Sequence, residues 1–382
     1  MGLAEFLARR AVRVAHVLVV ETPGSSATRM LAERALTRHG WSLALSPAEA
    51  DVLFVCGAAG ERLRSALDHV WEQMPGPRAR VSAVTPADLD NALDTAANVL
   101  FDDRGQRDDA RDRPVGPPGL DEQRSDEDAQ HDGGTGHGSS ESEGSERDDP
   151  AHEQMDHEHM GHGDMEMAPG GIALAEGAED EDGLSLDALA VPLGPVLAHW
   201  PAGLVLHLTL HGDRIVDAEA EWLDPHVGGD REGDDERSGL AWRAARHCDD
   251  AARLLVTAGW ESAADEARRQ RDALLSSAPS PVQTGALDRL ADRVDRNRTL
   301  RWALRGLTVP DAHGTEVDLV TRPASWLRDA RRTLVGDLSP TQPEAAPVDD
   351  VAERVVGLDI ASARMVVAGC APLLRRGDRD RV

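Results

Sequence analysis

The densest chemistry in this sequence lies between residues 152 and 167, HEQMDHEHMGHGDMEM. Eight side chains there are of metal-ligating types at short spacing: His152, Met155, His157, His159, Met160, His162, Met165 and Met167. Imidazole nitrogen and thioether sulfur are the borderline and soft donors that copper, nickel and zinc accept. These eight are the candidate metal ligands, with nickel, copper or zinc as the ion. The competing reading is an acidic linker that merely contains His and Met. A tract without a fold of its own cannot preorganise a catalytic metal with an open coordination position. The expectation is therefore metal handling rather than catalysis, with no cofactor required.

The other candidates are sparser. Thr22-Pro23-Gly24-Ser25-Ser26 follows an apolar run, at the place where α/β folds hold anions or cofactors. It has no GxGxxG and no P-loop lysine, so a helix cap made by Ser is the expected role. Cys56 closes a second apolar run beside Gly57 and is expected to be a small buried hydrophobe. His207, Thr209 and His211 share one face of a predicted strand. A metal there would need a third ligand such as Asp213 or His226, and an exposed polar face is the simpler expectation. His247-Cys248-Asp249-Asp250 falls in a predicted helix, where consecutive residues point in different directions, so mixed helix surface is expected. Arg293, Arg296, Arg298, Arg301 and Arg305 form a basic stretch on one predicted helix. It reads as a solvated face, a partner for the chain's own acids, or a contact for an acidic partner.

The elements that position these residues divide the chain into three. In residues 1–101, apolar runs at 14–21, 41–45, 51–56 and 80–84 alternate with helical spacing at 27–39, 61–74 and 86–100. Alternation of this kind predicts an α/β domain built on a doubly wound parallel sheet. Residues 102–183 carry 26 acids against six arginines and almost no branched apolar residue, which predicts a disordered acidic linker. Residues 184–382 predict an α+β domain: a β-hairpin (204–210 and 214–222 about a Gly212 turn), then helices at 238–258, 262–276, 285–306, 325–335 and 348–374.

Composition narrows the function. The chain of 382 residues has a net charge of −28, no Tyr, and arginine as its only basic residue besides His. The acid is concentrated in the linker and no basic stripe offsets it, which argues against nucleic-acid binding. Cys56, Cys248 and Cys370 stand far apart with no CxxC, excluding a zinc ribbon or a self-contained four-cysteine cluster. No apolar run reaches the roughly 18 residues of a membrane span. The expected location is the cytoplasm, or peripheral on the inner face of the cell membrane.

Taken in order, HVLVVE, EADVLFVCGAAG and VWEQMPGPRARVSAV resemble the small subunit shared by nickel–iron hydrogenases and respiratory complex I. PLGPVLAHWPAGLVLHLTLHGDRIVDAEAEW and VVGLDIASARMVVAGCAPLL resemble the opening hairpin and C-terminal segment of the large partner subunit. The resemblance implies a degenerate fusion of the two subunit types. It also implies what is missing. Pro23-Gly24-Ser25-Ser26 stands where the family's paired cluster cysteines fall, Val84-Thr85-Pro86 replaces its later Cys turn, and Cys56 replaces a Thr. The nickel-binding CxxC motifs and the quinone-site Tyr are absent, and His199 lies near the family's hairpin His pair at the wrong spacing. The implied function is a non-catalytic, cluster-free structural or accessory subunit of a complex I-like or multisubunit cation/proton antiporter assembly, with those membrane subunits as partners. Two alternatives are a metal-handling protein acting through residues 152–167 and an active quinone- or NAD(P)H-linked oxidoreductase subunit.

Overall fold

The computed structural model describes residues 14–113, 176–179, 185–224, 239–311, 313–337 and 348–377. The described residues belong to one compact unit.

The N-terminal part is a parallel sheet of four strands in the order β2-β1-β3-β4. Its strands are β1 (His16–Glu21), β2 (Ser42–Leu43), β3 (Val52–Cys56) and β4 (Ala79–Ala83). Three helices connect or follow them: α1 (Ser26–His39), α2 (Glu61–Gln73) and α3 (Leu89–Phe101). Parallel neighbours pair in register along β1 and β3, Val17 with Val52 through Glu21 with Cys56. Side chains alternate across the strands. Val17, Val52, Phe54, Cys56 and Val81 therefore pack with α1 and α3, while Leu18, Val20, Leu53 and Val55 pack with Leu63 and Leu67 of α2. β3 is buried at every position, which explains its unbroken apolar sequence. α1 ends where expected, at Gly40 in the left-handed conformation (φ 80°).

Two sequence expectations change here. Residues 103–112, at the head of the predicted disordered stretch, form a helix, α4 (Asp103–Asp112), capped by the Asp102 carboxylate. Its Asp109 receives Arg78 of the domain at 2.9 Å, so a polar helix is held by an ion pair rather than an apolar face. At the other end of that stretch Glu176–Glu179 is strand β5. The eight candidate metal ligands, residues 152–167, lie outside the described residues.

The C-terminal part opens on an antiparallel sheet in the order β5-β6-β7-β8, with β6 (Ser185–Leu193), β7 (Leu204–His211) and β8 (Arg214–Trp222). The expected hairpin is β7–β8, and β5 and β6 extend it. Helices α5 (Leu240–Thr257), α6 (Glu261–Leu274), α7 (Pro281–Arg296), α8 (Arg298–Ala303), α9 (Arg322–Leu334), α10 (Val348–Val355) and α11 (Ile360–Gly377) complete this part with a short antiparallel pair, β9 (Thr308–Pro310) and β10 (Glu316–Asp318). The single helix expected over 285–306 is two, because Asn297 caps a new helix by accepting from the Leu300 amide at 2.8 Å. The helix expected over 348–374 is likewise two, divided at Gly357, which takes φ 84°.

Candidate functional site

The strand ends that hold ligands in α/β proteins here meet the second half of the chain. β1 ends on Glu21, and α1 presents Arg29 and Glu33, one helical turn apart, to the same side. Arg29 donates Nε to Glu21 Oε2 at 2.7 Å and Nη1 to Glu33 Oε1 at 2.6 Å. Across the seam, Asp249 of α5 accepts from Arg29 Nη1 at 3.2 Å and also from its Nη2. Arg271 of α6 donates Nη1 to Glu33 Oε2 at 2.6 Å and to Asp249 Oδ1 at 2.8 Å. Arg253, one turn after Asp249, reaches Glu21 Oε2 at 3.3 Å. All six side chains are buried. Three guanidinium groups thus meet three carboxylates, and the planar guanidinium fork lets Arg29 span three acids at once. Asp272, paired with Arg271 at 2.9 Å, sits at the edge nearer solvent.

The electrostatics follow from this balance. Burial opposes the charges of Arg29, Glu33, Asp249 and Arg271. The opposite charges outweigh it: Asp249, Glu33 and Glu21 hold Arg29 well above its usual pKa. Arg29 and Arg271 bring Glu33 down to about 2 and hold Asp249 well below the usual carboxylate range. The expectation of mixed helix surface at 247–250 is corrected accordingly: Cys248, Asp249 and Asp250 are buried, and Asp249 lies at the centre of the network.

Further contacts close the same edge. Asp224, just after β8, accepts from the Leu63 amide at 2.8 Å and so caps α2 from the other half. Arg62 of α2 pairs with Glu221 at 2.8 Å, which His207 also approaches at 2.9 Å. Hydrogen bonds from His207 and Arg62 lower the Glu221 pKa. His207 is thus on the exposed strand face expected for it. Val196, in the loop between β6 and β7, joins the apolar cluster of the α2 face.

The turn at 22–26 is packed by its own hydroxyls. Thr22 Oγ1 and Ser25 Oγ are 3.0 Å apart, and Ser25 does not cap α1 through its side chain, contrary to the sequence expectation. Gly57 (φ 100°) lies against them: a Cβ there would fall 2.0 Å from Ser25 Oγ and 2.1 Å from Thr22 Oγ1. The iron–sulfur cluster of the subunit family that the sequence resembles does not fit these residues. Such a cluster is held by protein thiolates, whereas hydroxyls fill the turn. Burial pushes the Cys56 thiol far up and brings Cys248 and Cys370 to about 12.

One polar group stands apart from this pairing. His199 sits in the loop 194–203 with φ 62°, unusual for a residue with a side chain. Its Nε2 is buried and makes no hydrogen bond to protein. It borders a cavity of about 30 Å³ shared with Glu21, Arg29, Glu33, Trp200 and Arg253, a volume suited to one or two water molecules. Burial, with Arg268, Arg253 and Arg29 nearby and Glu33 opposing them, lowers its pKa to about 3, so it is neutral at physiological pH.

Sequence reasoning did not find this network because its partners lie up to 238 positions apart. A local signal existed in the charged pair Asp249 and Arg253, one turn apart within the otherwise apolar face of Ala245, Cys248, Ala252 and Leu255. Among the described residues no group of three or more His, Cys, Asp or Glu is placed to hold a metal ion. Nor is any helix among them long and apolar enough to cross a membrane. No family model, no curated protein and no solved structure matches the chain.

Proposed function

We propose that this chain is a non-catalytic, cluster-free structural or accessory subunit, docking at the cytoplasmic face of a complex I-like or multisubunit cation/proton antiporter assembly. The observation that carries the reading is the closed edge. The strand ends that would receive a cofactor are covered by the chain's own second half through a balanced buried ion network, leaving about 30 Å³. In this reading the sheet is half of a doubly wound fold, and the seam is the interface of two ancestral subunits retained within one chain. Such an interface can organise partners without chemistry of its own. The apolar strand β7 of the hairpin supports the likeness to a large-subunit opening segment.

The test is affinity purification of the tagged chain from gently solubilised native membranes, followed by mass spectrometry. The expected result is recovery of polytopic antiporter-type subunits in fixed ratio. Recovery of the chain alone, from the soluble fraction, would overturn the reading. A metal-handling role rests on a separate observation, four His and four Met within sixteen residues. Nickel, copper or zinc retained stoichiometrically after native purification, and lost on deleting residues 152–167, is its expected signature.

A further inference from the structure

The corner formed by α7 and α8 carries a second group of arginines with the opposite character. On α8, Arg298, Arg301 and Trp302 are spaced at i, i+3 and i+4 and therefore share a face, and Arg305 follows in the turn. Leu300 and Leu304 are buried on the other side. Arg296, Arg298, Arg301, Trp302 and Arg305 are all exposed, and Trp302 is 77% exposed, the largest value among the described bulky apolar side chains.

The arginines here have no acids assigned to them. The nearby carboxylates Asp292 and Asp295 are both taken by Arg328 of α9. Arg301 donates to the backbone carbonyl of Asp295 at 2.8 Å, and neither Arg296, Arg298 nor Arg305 forms an ion pair among the described residues. No arginine of the described residues stacks on Trp302, whereas Trp71 and Trp326 each carry one. Several guanidinium groups and an uncovered indole therefore face outward together.

We propose that this corner is a docking surface for an anionic lipid bilayer, with Trp302 at headgroup level and Arg298, Arg301 and Arg305 on lipid phosphates. An indole with an apolar body and a polar N–H is suited to the membrane interface, and arginines beside it gain from the negative surface potential of acidic lipids. An acidic protein surface would match the charges but would need a pocket for an indole this exposed. The net charge of the whole chain opposes approach, but beyond a Debye length of about 8 Å it is screened. The surface deepens the peripheral location proposed above, yet it is tested with lipid alone, so its failure would not touch the claim about partner subunits.

The experiment is co-sedimentation of the full chain with phosphatidylcholine vesicles, with and without phosphatidylglycerol, across a salt series. Binding is expected only with phosphatidylglycerol, weakening as salt rises, with a blue shift of Trp302 emission read against the W302F variant. The R298Q/R301Q/R305Q variant is expected to lose at least about tenfold in partitioning, since each arginine near such a surface contributes measurably. Absence of binding, equal binding to neutral vesicles, or binding unchanged in the triple variant would each overturn the proposal. Circular dichroism and thermal melting of the variants separate lost docking from lost fold.

Discussion

The seam and the α7–α8 corner use the same residue for opposite ends. In the seam, Arg29, Arg253 and Arg271 are buried and each guanidinium meets a carboxylate. At the corner, Arg298 and Arg305 are exposed and meet none among the described residues. A buried guanidinium must be matched, because an uncompensated charge away from water costs several kcal/mol. An exposed one is solvated and remains available. Arginine as the chain's basic residue suits both: it stays charged under burial and it grips carboxylate or phosphate in two-pronged fashion.

The sharpest way to break this contrast is Asp249→Ala. It removes the acid shared by Arg29 and Arg271 and leaves both buried without it, which is expected to cost about 3–5 kcal/mol in denaturant unfolding. A loss below about 1 kcal/mol would mean water already enters the seam.

Acid tests the seam differently. The folded pKa of His199, about 3, is below the ordinary value of 6.5. Between these values the unfolded chain binds more protons, so this stability contribution is present above pH 6.5 and is lost as pH falls toward 3. The slope is up to about 1.4 kcal/mol per pH unit. Glu33 and Asp249, whose pKa values are depressed, lose their contributions at lower pH, below about 4. His199→Asn, with a residue that tolerates positive φ, is therefore expected to flatten the stability profile between pH 6.5 and 4.5. A profile identical to that of the parent chain would count against a buried neutral imidazole.

Gly57→Ala comes next. Its Cβ would meet the Thr22 and Ser25 hydroxyls at a positive φ, and about 1–3 kcal/mol of destabilisation is expected. Smallest of all, R298Q/R301Q/R305Q is expected to change stability by no more than about 0.5 kcal/mol. The same unfolding assay thus separates arginines that hold the fold from those that do not.

The alternation of apolar runs with helical spacing made the parallel sheet legible, because each strand and helix is encoded locally. β3 shows why: every residue of Val52–Cys56 is buried, so its composition alone marks it. β6 is hidden in the sequence because Pro192 and its mixed pattern weaken the strand signal, and its place comes from pairing with β7. The Arg293–Arg305 stretch has the spacing of one helix, and Asn297, which caps the second, looks in sequence like one more polar helix position. The buried network was illegible for a different reason. The local chemistry at 247–250 is that of an ordinary polar turn of helix, and partners brought from α1 and α6 give Asp249 its role.

Synthesis order gives the seam one more consequence. The earlier part of the chain supplies Glu21, Arg29 and Glu33, and the later part Asp249, Arg253 and Arg271. Among these buried groups the first set carries one surplus negative charge and the second one surplus positive charge. A nascent chain halted before residue 240 would present an acidic, unneutralised face where the finished molecule has a buried, charge-matched joint. Helices α5 and α6, made about 200 residues after α1, are therefore also its counterion.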